Sequence, residues 1–567
     1  MNEPIWRINP YRGEAKRLSR ELGLSLSAAQ VLVNRKIYQP EEAHKFLYGG
    51  LDDLYDPFLM RDMRKAVSRI KKAIADREKI FIFGDYDADG VLSVVILLKA
   101  LRKLGAKVNY FIPNRLENGY GIKEEYLTMV KASQASLVIS ADCGIKATKF
   151  LKVTKEAGID VIITDHHHPG TEPLQAFAVL NPILDDSGYP EKRLTGVGVV
   201  FKLIQALFAC NQIISGFDDY LKLVSLGTIA DAAELRGENR LLVKSGLEGL
   251  ENASSPSLKS LLEVCGLGQG QRKIYESDVA LRIVPRINAA GRMGMAELAV
   301  ELFFTHSRAK TKSIANILDE LNSKRQKIED KVYECALRFI RKKGLAQKYK
   351  ILVIGCRKWH RGVIGIVASR IKDTFYRPVL LVSYEDSKGY GSGRSISEIS
   401  LIDCLNKHKE FFINFGGHEF AVGFEIEREK VCELKKALNQ FAELKINEDD
   451  LRKKIYIDAK INFSELDSSL IEFHSLLSPF GAGNPTPLYL TLKAEILNEP
   501  QKIEGKHLKL LLKQEGKVFE AFGWERADWE EKLREGNRVD LVYSFQPGDY
   551  FGEKNVTLYL EDLRMSE

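Results

Sequence analysis

The sequence predicts an α/β protein of several domains that closes in a small β-barrel, and three observations predict it. Between residues 79 and 235, short Val/Ile-rich runs alternate with helical patterns, which implies a mostly parallel sheet. A second such alternation occupies about 348–450. Beyond residue 455 the chain turns to charged, period-two strands separated by short turns. At 567 residues it is too long for one core, and three or four domains are expected.

Residues 1 to about 75 show helical spacing at 28–34 and 41–47 and are expected to cap the domain that follows. That domain opens on Lys79-Ile-Phe-Ile-Phe-Gly-Asp-Tyr-Asp-Ala-Asp-Gly90, which reads as a buried strand, a tight acidic turn and a helix start. Strands are expected at 79–84, 108–112, 136–141 and 159–164. Helices are expected at 90–104, 122–132, 145–157 and 196–210.

Three of the four strands end in polar clusters: Asp85 and Asp87, then Asp142, then Asp165-His166-His167-His168. Leu226-Gly-Thr-Ile-Ala-Asp231 comes later. One Asp after a strand is ordinarily a helix N-cap, and paired histidines are ordinarily surface residues. Here the clusters fall on the same end of one sheet, where ligands of open α/β sheets bind. Crowded carboxylates repel unless something neutralises them, and a divalent cation is the simplest neutraliser. Carboxylates mixed with imidazoles suit manganese, and magnesium less comfortably. Two such ions about 4 Å apart would clamp an in-line displacement at phosphorus. Asp-x-Asp-x-Asp-Gly also begins calcium loops, but those need a preceding helix and a Glu where this chain has Ile96.

Residues 240–300 are helical with loops. Within them, Val284-Pro-Arg-Ile-Asn-Ala-Ala-Gly-Arg-Met293 suits either a phosphate seat or close helix packing. A long helix is expected at about 309–343, with Ile314, Ile317, Leu318, Leu321, Ile328, Val332, Cys335 and Phe339 on its apolar stripe. It would run about 50 Å and bridge two domains. The second α/β unit has strands at 350–355 and 378–382, then Gly389-Tyr-Gly-Ser-Gly-Arg-Ser395, read as a flexible turn from which Arg394 grips an anion. Gly416-Gly417-His418 is expected at a chain reversal. The last strands, at 488–493, 507–513, 518–524, 539–545 and 556–560, fit an OB-fold. Its aromatic residues and lysines would stack bases and track phosphates, or else most of the aromatic residues are barrel core.

Net charge is +7, which permits a phosphate-rich partner without demanding one. The seven cysteines are dispersed with no CxxC pair, which points to reduced thiols in a cytosolic protein and against a thiolate zinc site. No signal-peptide pattern opens the sequence and no run is long enough to span a bilayer. A cytoplasmic protein without a membrane partner is expected.

The motifs Gly84-Asp-Tyr-Asp-Ala-Asp-Gly90, Asp142-Cys-Gly144, Asp165-His-His167 and Gly227-Thr-Ile-Ala-Asp231 come in order. They are followed by Arg286-Ile-Asn-Ala-Ala-Gly-Arg292, Trp359-His-Arg-Gly-Val-Ile-Gly365, Gly416-Gly-His418 and Pro479-Phe-Gly-Ala-Gly-Asn-Pro485. Nearly end to end, this set resembles the RecJ family of single-strand-specific DNA exonucleases, in the DHH phosphoesterase superfamily.

Beyond the helical cap expected at 1–75, the resemblance implies a DHH catalytic domain at 76–240 and a helical region with the long connecting helix at 241–345. A DHHA1 domain at 346–450 and an OB-fold at 455–567 complete it. It implies two Mn2+ or Mg2+ ions held by Asp85, Asp87, Asp142, His166 and Asp231. Asp142 would bridge them, Asp87, His166 and Asp231 would complete one site, and Asp85 would serve the other. His167 would face the scissile phosphate, with Asp165 orienting the imidazoles. Asp89 lies in the first motif with no ligand role. A 5′-phosphate pocket would draw on Arg292, Gln326, Arg370, Ser392 and Arg394, with His418 as a further substrate contact.

Many superfamily members carry a His where this chain has Phe81, so one ion is expected to bind more weakly. Gly393 and Val422 stand where Ala is more usual, a small departure. The implied activity is 5′-to-3′ hydrolysis of single-stranded DNA to 5′-mononucleotides in repair and recombination. The implied enzyme is a monomer, with a single-strand-binding protein and a repair helicase as partners. Two rivals are a nanoRNA or cyclic-dinucleotide phosphodiesterase, which generally lacks the barrel, and a non-catalytic scaffold, which would have lost ligands that are all present here.

Overall fold

The computed structural model describes residues 3–114, 121–213, 215–268, 272–546 and 556–566. The chain divides into two compact units. One comprises Ile8–Asp319 with Tyr456–Glu567, the other Glu320–Ile455 with Met1–Arg7.

The larger unit is built on a five-stranded sheet. In spatial order its strands are Lys107–Phe111, Lys79–Gly84, Ala135–Ala141, Asp160–Thr164 and Ala178–Leu180, and every pairing is parallel. The first four match the expected strands to within a residue, while the edge strand at 178–180 was not foreseen. It is three residues long, too short to show a period. Helices Ala88–Lys103, Gly196–Ala209 and Asp218–Ala230 pack against one another beside this sheet. Their sequences are apolar on nearly all sides, as burial between layers requires.

The C-terminal strands Tyr489–Ile496, His507–Gln514, Lys517–Gly523, Arg538–Gln546 and Thr557–Met565 form the barrel. The first and second of these close it, through Glu495 opposite Lys513 and Ile496 opposite Leu512. Of its aromatic residues, Tyr489, Tyr543 and Phe545 are fully buried core, while Phe522 and Tyr559 are half-buried and Trp524 is exposed. A helix, Ser468–Leu477, precedes the barrel and was not expected.

The N-terminal segment departs from its expected role. Helices Gly13–Leu22, Leu26–Asn34 and Pro40–Tyr48 share one apolar core with the barrel, through Leu18, Val31 and Leu47 on one side and Phe463, Leu508 and Leu541 on the other. They extend the C-terminal domain, whereas the turns Leu51–Asp53 and Pro57–Leu59 and helix Met63–Ala75 pack on the parallel-sheet domain. Local periodicity reveals that these helices are amphipathic but not which surface they cover.

The long helix spans Arg308–Lys343, 36 residues. Its stripe runs as expected through Ile314, Leu318 and Val332, then continues through Ala336 and Ile340. Cys335 and Phe339, assigned to the stripe, are exposed, Phe339 by 47%. The helical repeat of 3.6 residues carries the seam one position on. Buried polar groups occupy the middle of the stripe: Arg325 pairs with Glu329 at 2.6 Å and donates to Asn322 at 2.7 Å.

The smaller unit holds a mixed sheet in the order Phe412–His418, Ala421–Glu427, Lys388–Arg394, Val379–Glu385 and Leu352–Cys356. Here the expected flexible turn is corrected. Gly389 to Arg394 lie in a strand paired on both sides, with Val379–Glu385 and with Ala421–Glu427. The glycines serve close approach, since a Cβ at Gly391 would fall 2.0 Å from the Phe424 ring. Gly416-Gly417-His418 does end at a reversal, with His418 opposite Ala421.

All seven cysteines are free thiols. Among the described residues, no helix is long and apolar enough to cross a membrane.

Candidate metal centre

Four segments deliver the acidic and imidazole groups. Strand Lys79–Gly84 ends at Asp85, and Asp87 then caps helix Ala88–Lys103, its Oδ1 accepting from Gly90 N–H at 3.0 Å. Strand Ala135–Ala141 ends at Asp142, which has a left-handed backbone at φ 61 and donates its N–H to Thr164 O at 3.0 Å. A non-glycine residue in that region is costly and persists only where its surroundings impose it. Strand Asp160–Thr164 ends at Asp165, and helix Asp218–Ala230 ends at Asp231.

The groups converge as expected. Ligand atoms of Asp85, Asp87 and Asp142 lie within 4.8 Å of one another, as do those of Asp142, His166 and His167, and those of Asp89, His166 and Asp231. Asp142 Oδ1 stands 3.2 Å from His166 Nε2, and His166 Nδ1 stands 4.0 Å from Asp231 Oδ2. Asp142 Oδ1 and His166 Nε2 are both buried with no hydrogen-bond partner. Two acceptor-rich atoms orphaned side by side fit a cation that takes them as ligands.

The electrostatics agree. Burial, then the charges of Asp89, Asp87 and Asp85, push the Asp142 carboxyl far above its ordinary range. Burial and the nearby Asp87 raise Asp231 to about 7. Burial holds His166 down at about 4, so its imidazole is neutral and able to ligate.

Asp165 is fully buried and bonds to the histidine pair. Its Oδ1 accepts from the N–H groups of His166 and His167 at 2.8 and 3.1 Å and meets His167 Nδ1 at 2.7 Å, while its Oδ2 accepts from Ile145 N–H at 2.9 Å. Burial alone would raise its pKa, but the His167 hydrogen bond and charge bring it below the usual value. Phe81 points into an apolar cluster with Phe83 and Tyr126, so no imidazole comes from that position.

The six expected substrate contacts are placed as follows. Arg292 ends helix Val284–Arg292 of the larger unit. In the smaller unit, Arg394 Nη1 lies 3.3 Å from Ser392 Oγ, and a Cβ at Gly365 would meet that Oγ at 3.0 Å and Arg394 Nη2 at 3.2 Å. Ser392 and Arg394 therefore converge on the start of helix Ile364–Phe375. Arg370 is drawn instead to Asp330 at 2.8 Å and lies over the Tyr333 ring at 4.1 Å. Gln326 is exposed on the long helix, and exposed His418 accepts from Phe420 N–H at 3.4 Å.

Three supports of the centre were not evident in the sequence. Asn288 Oδ1 accepts from Ala88 N–H at 2.9 Å, steadying the acidic turn from helix Val284–Arg292. Gly291 lets that helix approach so closely that a Cβ there would sit 2.0 Å from Tyr86 O, which decides for packing over a phosphate seat at that glycine. The third is the barrel-side loop: Leu235 N–H donates to Ala482 O at 2.7 Å and Arg236 Nε to Gly483 O at 2.9 Å, holding the segment that follows Asp231. Pro479-Phe-Gly-Ala-Gly-Asn-Pro485 was the available signal, and its glycines mark that close approach.

Family models match three stretches of the chain: the DHH family N-terminal domain at 79–228, the DHHA1 domain at 348–444 and the RecJ OB domain at 457–562. The single-stranded-DNA-specific exonuclease RecJ of Bacillus subtilis is 36% identical, covering 99% of this chain and 71% of its own. The crystal structure of RecJ in complex with Mn2+ from Thermus thermophilus is 30% identical with a TM-score of 0.84, covering 99% of this chain and 80% of its own. The corresponding complex with Mg2+ is 28% identical with a TM-score of 0.77, covering 99% and 79%. Such identity along nearly the whole length, with three domains of this kind in this order, means that the chain belongs to the RecJ family.

Proposed function

We propose that this chain is a 5′-to-3′ exonuclease specific for single-stranded DNA that releases 5′-mononucleotides by metal-dependent hydrolysis. The observation that carries it is the convergence of four separate acidic and histidine motifs on one end of a parallel sheet, in a chain of RecJ relatives. Asp142 would stand between two divalent cations, with Asp87, His166 and Asp231 on one and Asp85 on the other. Mn2+ and Mg2+ are both candidates, as each is bound by the Thermus RecJ. Such ions supply a water nucleophile at neutral pH and neutralise charge developing at phosphorus.

The remaining chemistry belongs to side chains. Asp165 fixes His167 through Nδ1, so Nε2 is the ring atom that would meet a phosphoryl oxygen and stabilise its charge. Ser392 and Arg394, at the start of a helix, would receive the 5′ phosphate. Arg292, Gln326, Arg370 and His418 would be secondary contacts along the strand. A monomer working in the cytoplasm with a single-strand-binding protein and a repair helicase completes this reading. The RecJ OB domain match weighs against a small-substrate phosphodiesterase.

The test is a degradation assay in manganese on one long single strand labelled at either end, with wild type beside Asp142→Ala. Mononucleotides released first from the 5′ end, and lost in the variant, are expected. Cleavage confined to short oligomers would favour the small-substrate relatives, and binding without cleavage would leave a scaffold.

A further inference from the structure

Asp89 is the one carboxylate of the acidic turn without a task in this mechanism. It is only 2% exposed. Both of its oxygens are engaged by backbone more than a hundred positions along the chain: Oδ2 accepts from Gly196 N–H and Oδ1 from Val197 N–H, each at 2.9 Å. Those two residues begin helix Gly196–Ala209. The first N–H groups of a helix have no intrahelical partner and sit at the positive end of its dipole, so a buried carboxyl group there satisfies two otherwise orphaned donors.

The pinned end presses on Asp142. A Cβ at Gly196 would lie 2.3 Å from Asp142 Oδ1 and 2.5 Å from its Cβ, so only glycine lets the helix start fit against that carboxylate. Asp142 itself has the unfavourable φ of 61, a conformation that needs external support. On its other side Asp89 abuts Gly227, whose carbonyl accepts the Asp231 N–H at 3.0 Å. A Cβ at Gly227 would come within 3.1 Å of Asp89 Oδ1.

We propose that Asp89 is a positioning residue that pins the start of helix Gly196–Ala209, and that this helix end, through Gly196, fixes the Asp142 carboxylate for the metals. The rival is a direct ligand role, since Asp89 Oδ2 also lies 3.9 Å from His166 Nε2. The two roles differ in what a metal titration counts. A ligand's removal costs an ion, whereas a positioning residue's removal weakens ions that still bind.

The proposal rests on the two-metal nuclease reading. Its test is a Mn2+ titration of the full chain, following the free-ion electron paramagnetic resonance signal, for wild type, Asp89→Asn and Gly196→Ala. kcat and KM on a labelled single strand are measured beside it. Both variants are expected to keep the wild-type number of ions, to bind at least one of them about 10- to 100-fold more weakly, and to lose kcat with KM for DNA unchanged. A whole ion lost in Asp89→Asn alone would overturn the proposal in favour of a ligand. Wild-type affinity and kcat in either variant would overturn it too. If Asp89→Asn does not fold, Gly196→Ala leaves the carboxylate in place and decides by the same readouts. Wild type that binds manganese without cutting DNA would sink the nuclease reading alone, because ion counts and affinities remain comparable.

Discussion

The Arg240 guanidinium donates to the Leu477 carbonyl at 2.8 Å, joining the catalytic domain to the segment that leads into the barrel. The same side chain, 1% exposed, also donates to the carbonyls of Phe46, Leu476, Ser478 and Pro479. Burial lowers its pKa to about 9, which still leaves it charged at neutral pH. Removing it would strand several buried acceptors at once. Arg240→Ala is expected to cost about 3–5 kcal/mol, read as a lowered urea midpoint. Arg240→Lys should recover less than half, because an ammonium cannot spread planar donors over so many carbonyls. An unchanged midpoint in Arg240→Ala would show the junction to be dispensable.

The same junction reaches the metal centre. Gly483 has φ +71, and a Cβ there would lie 3.1 Å from Glu234 Cβ, three residues after Asp231. Gly483→Ala is therefore expected to disturb Asp231 and lower kcat by about tenfold. Gly516→Ala is the control: its φ is +77, but nothing lies within 4 Å of the added methyl. Both carry a similar backbone cost of about 1–2 kcal/mol. Equal kcat in the two variants would mean that the barrel-side loop does not position Asp231.

How much of this was legible depends on range. Asp85, Asp142 and Asp165 could be read because each ends a short apolar strand, and strand ends on one side of a parallel sheet converge whatever the details. Asp89 could not, because its partners lie 107 and 108 positions away and are backbone groups. Asn288 was hidden for the same reason, at a separation of 200. The strand Lys388–Arg394 was misread because three glycines look like a turn until the Phe424 ring they accommodate is in view. The N-terminal helices announced an apolar face, but nothing local says that the barrel covers it.

His474 is a buried neutral imidazole between Phe480 and Phe545, at 4.9 and 4.4 Å between ring centroids. Burial, then the Arg35 charge, lowers its pKa to about 3. In the unfolded chain it would titrate near 6.5. Between these values the unfolded state binds the extra proton, so this contribution is intact above about pH 6.5 and is lost as pH falls. From pH 6.5 to 4.5 the loss amounts to about 2–3 kcal/mol. His474→Phe should flatten that acid limb in denaturation series while leaving stability at pH 8 within about 1.5 kcal/mol of wild type. A parallel fall in both proteins would remove His474 as the cause.

Arg394 tests the 5′ end. Its fork beside Ser392 should recognise a terminal phosphate through charge-assisted bonds worth about 1.5–3 kcal/mol. Arg394→Ala should raise KM for a 5′-phosphorylated strand about 10- to 100-fold. It should change KM for a 5′-hydroxyl strand little, and leave manganese affinity alone. Equal KM values for the variant and wild type on phosphorylated DNA would exclude this pocket.

Phe81 argues that the two ions are not alike. Its ring packs 5.0 Å from that of Phe83 in an apolar cluster, so the Asp85 side of the centre gains no imidazole from this strand. On the proposed assignment the other ion would draw on Asp87, His166 and Asp231, of which His166 and Asp231 share one cluster. Fewer protein ligands mean weaker binding, since each one lost must be replaced by water or by the substrate's own oxygens. Calorimetric titration with Mn2+ should resolve two affinities at least about tenfold apart. Cleavage should follow occupancy of the weaker position, so the manganese concentration for half-maximal rate should match the weaker constant and fall when DNA is saturating. Two equally tight ions would show that Asp85 has partners enough without an imidazole at position 81.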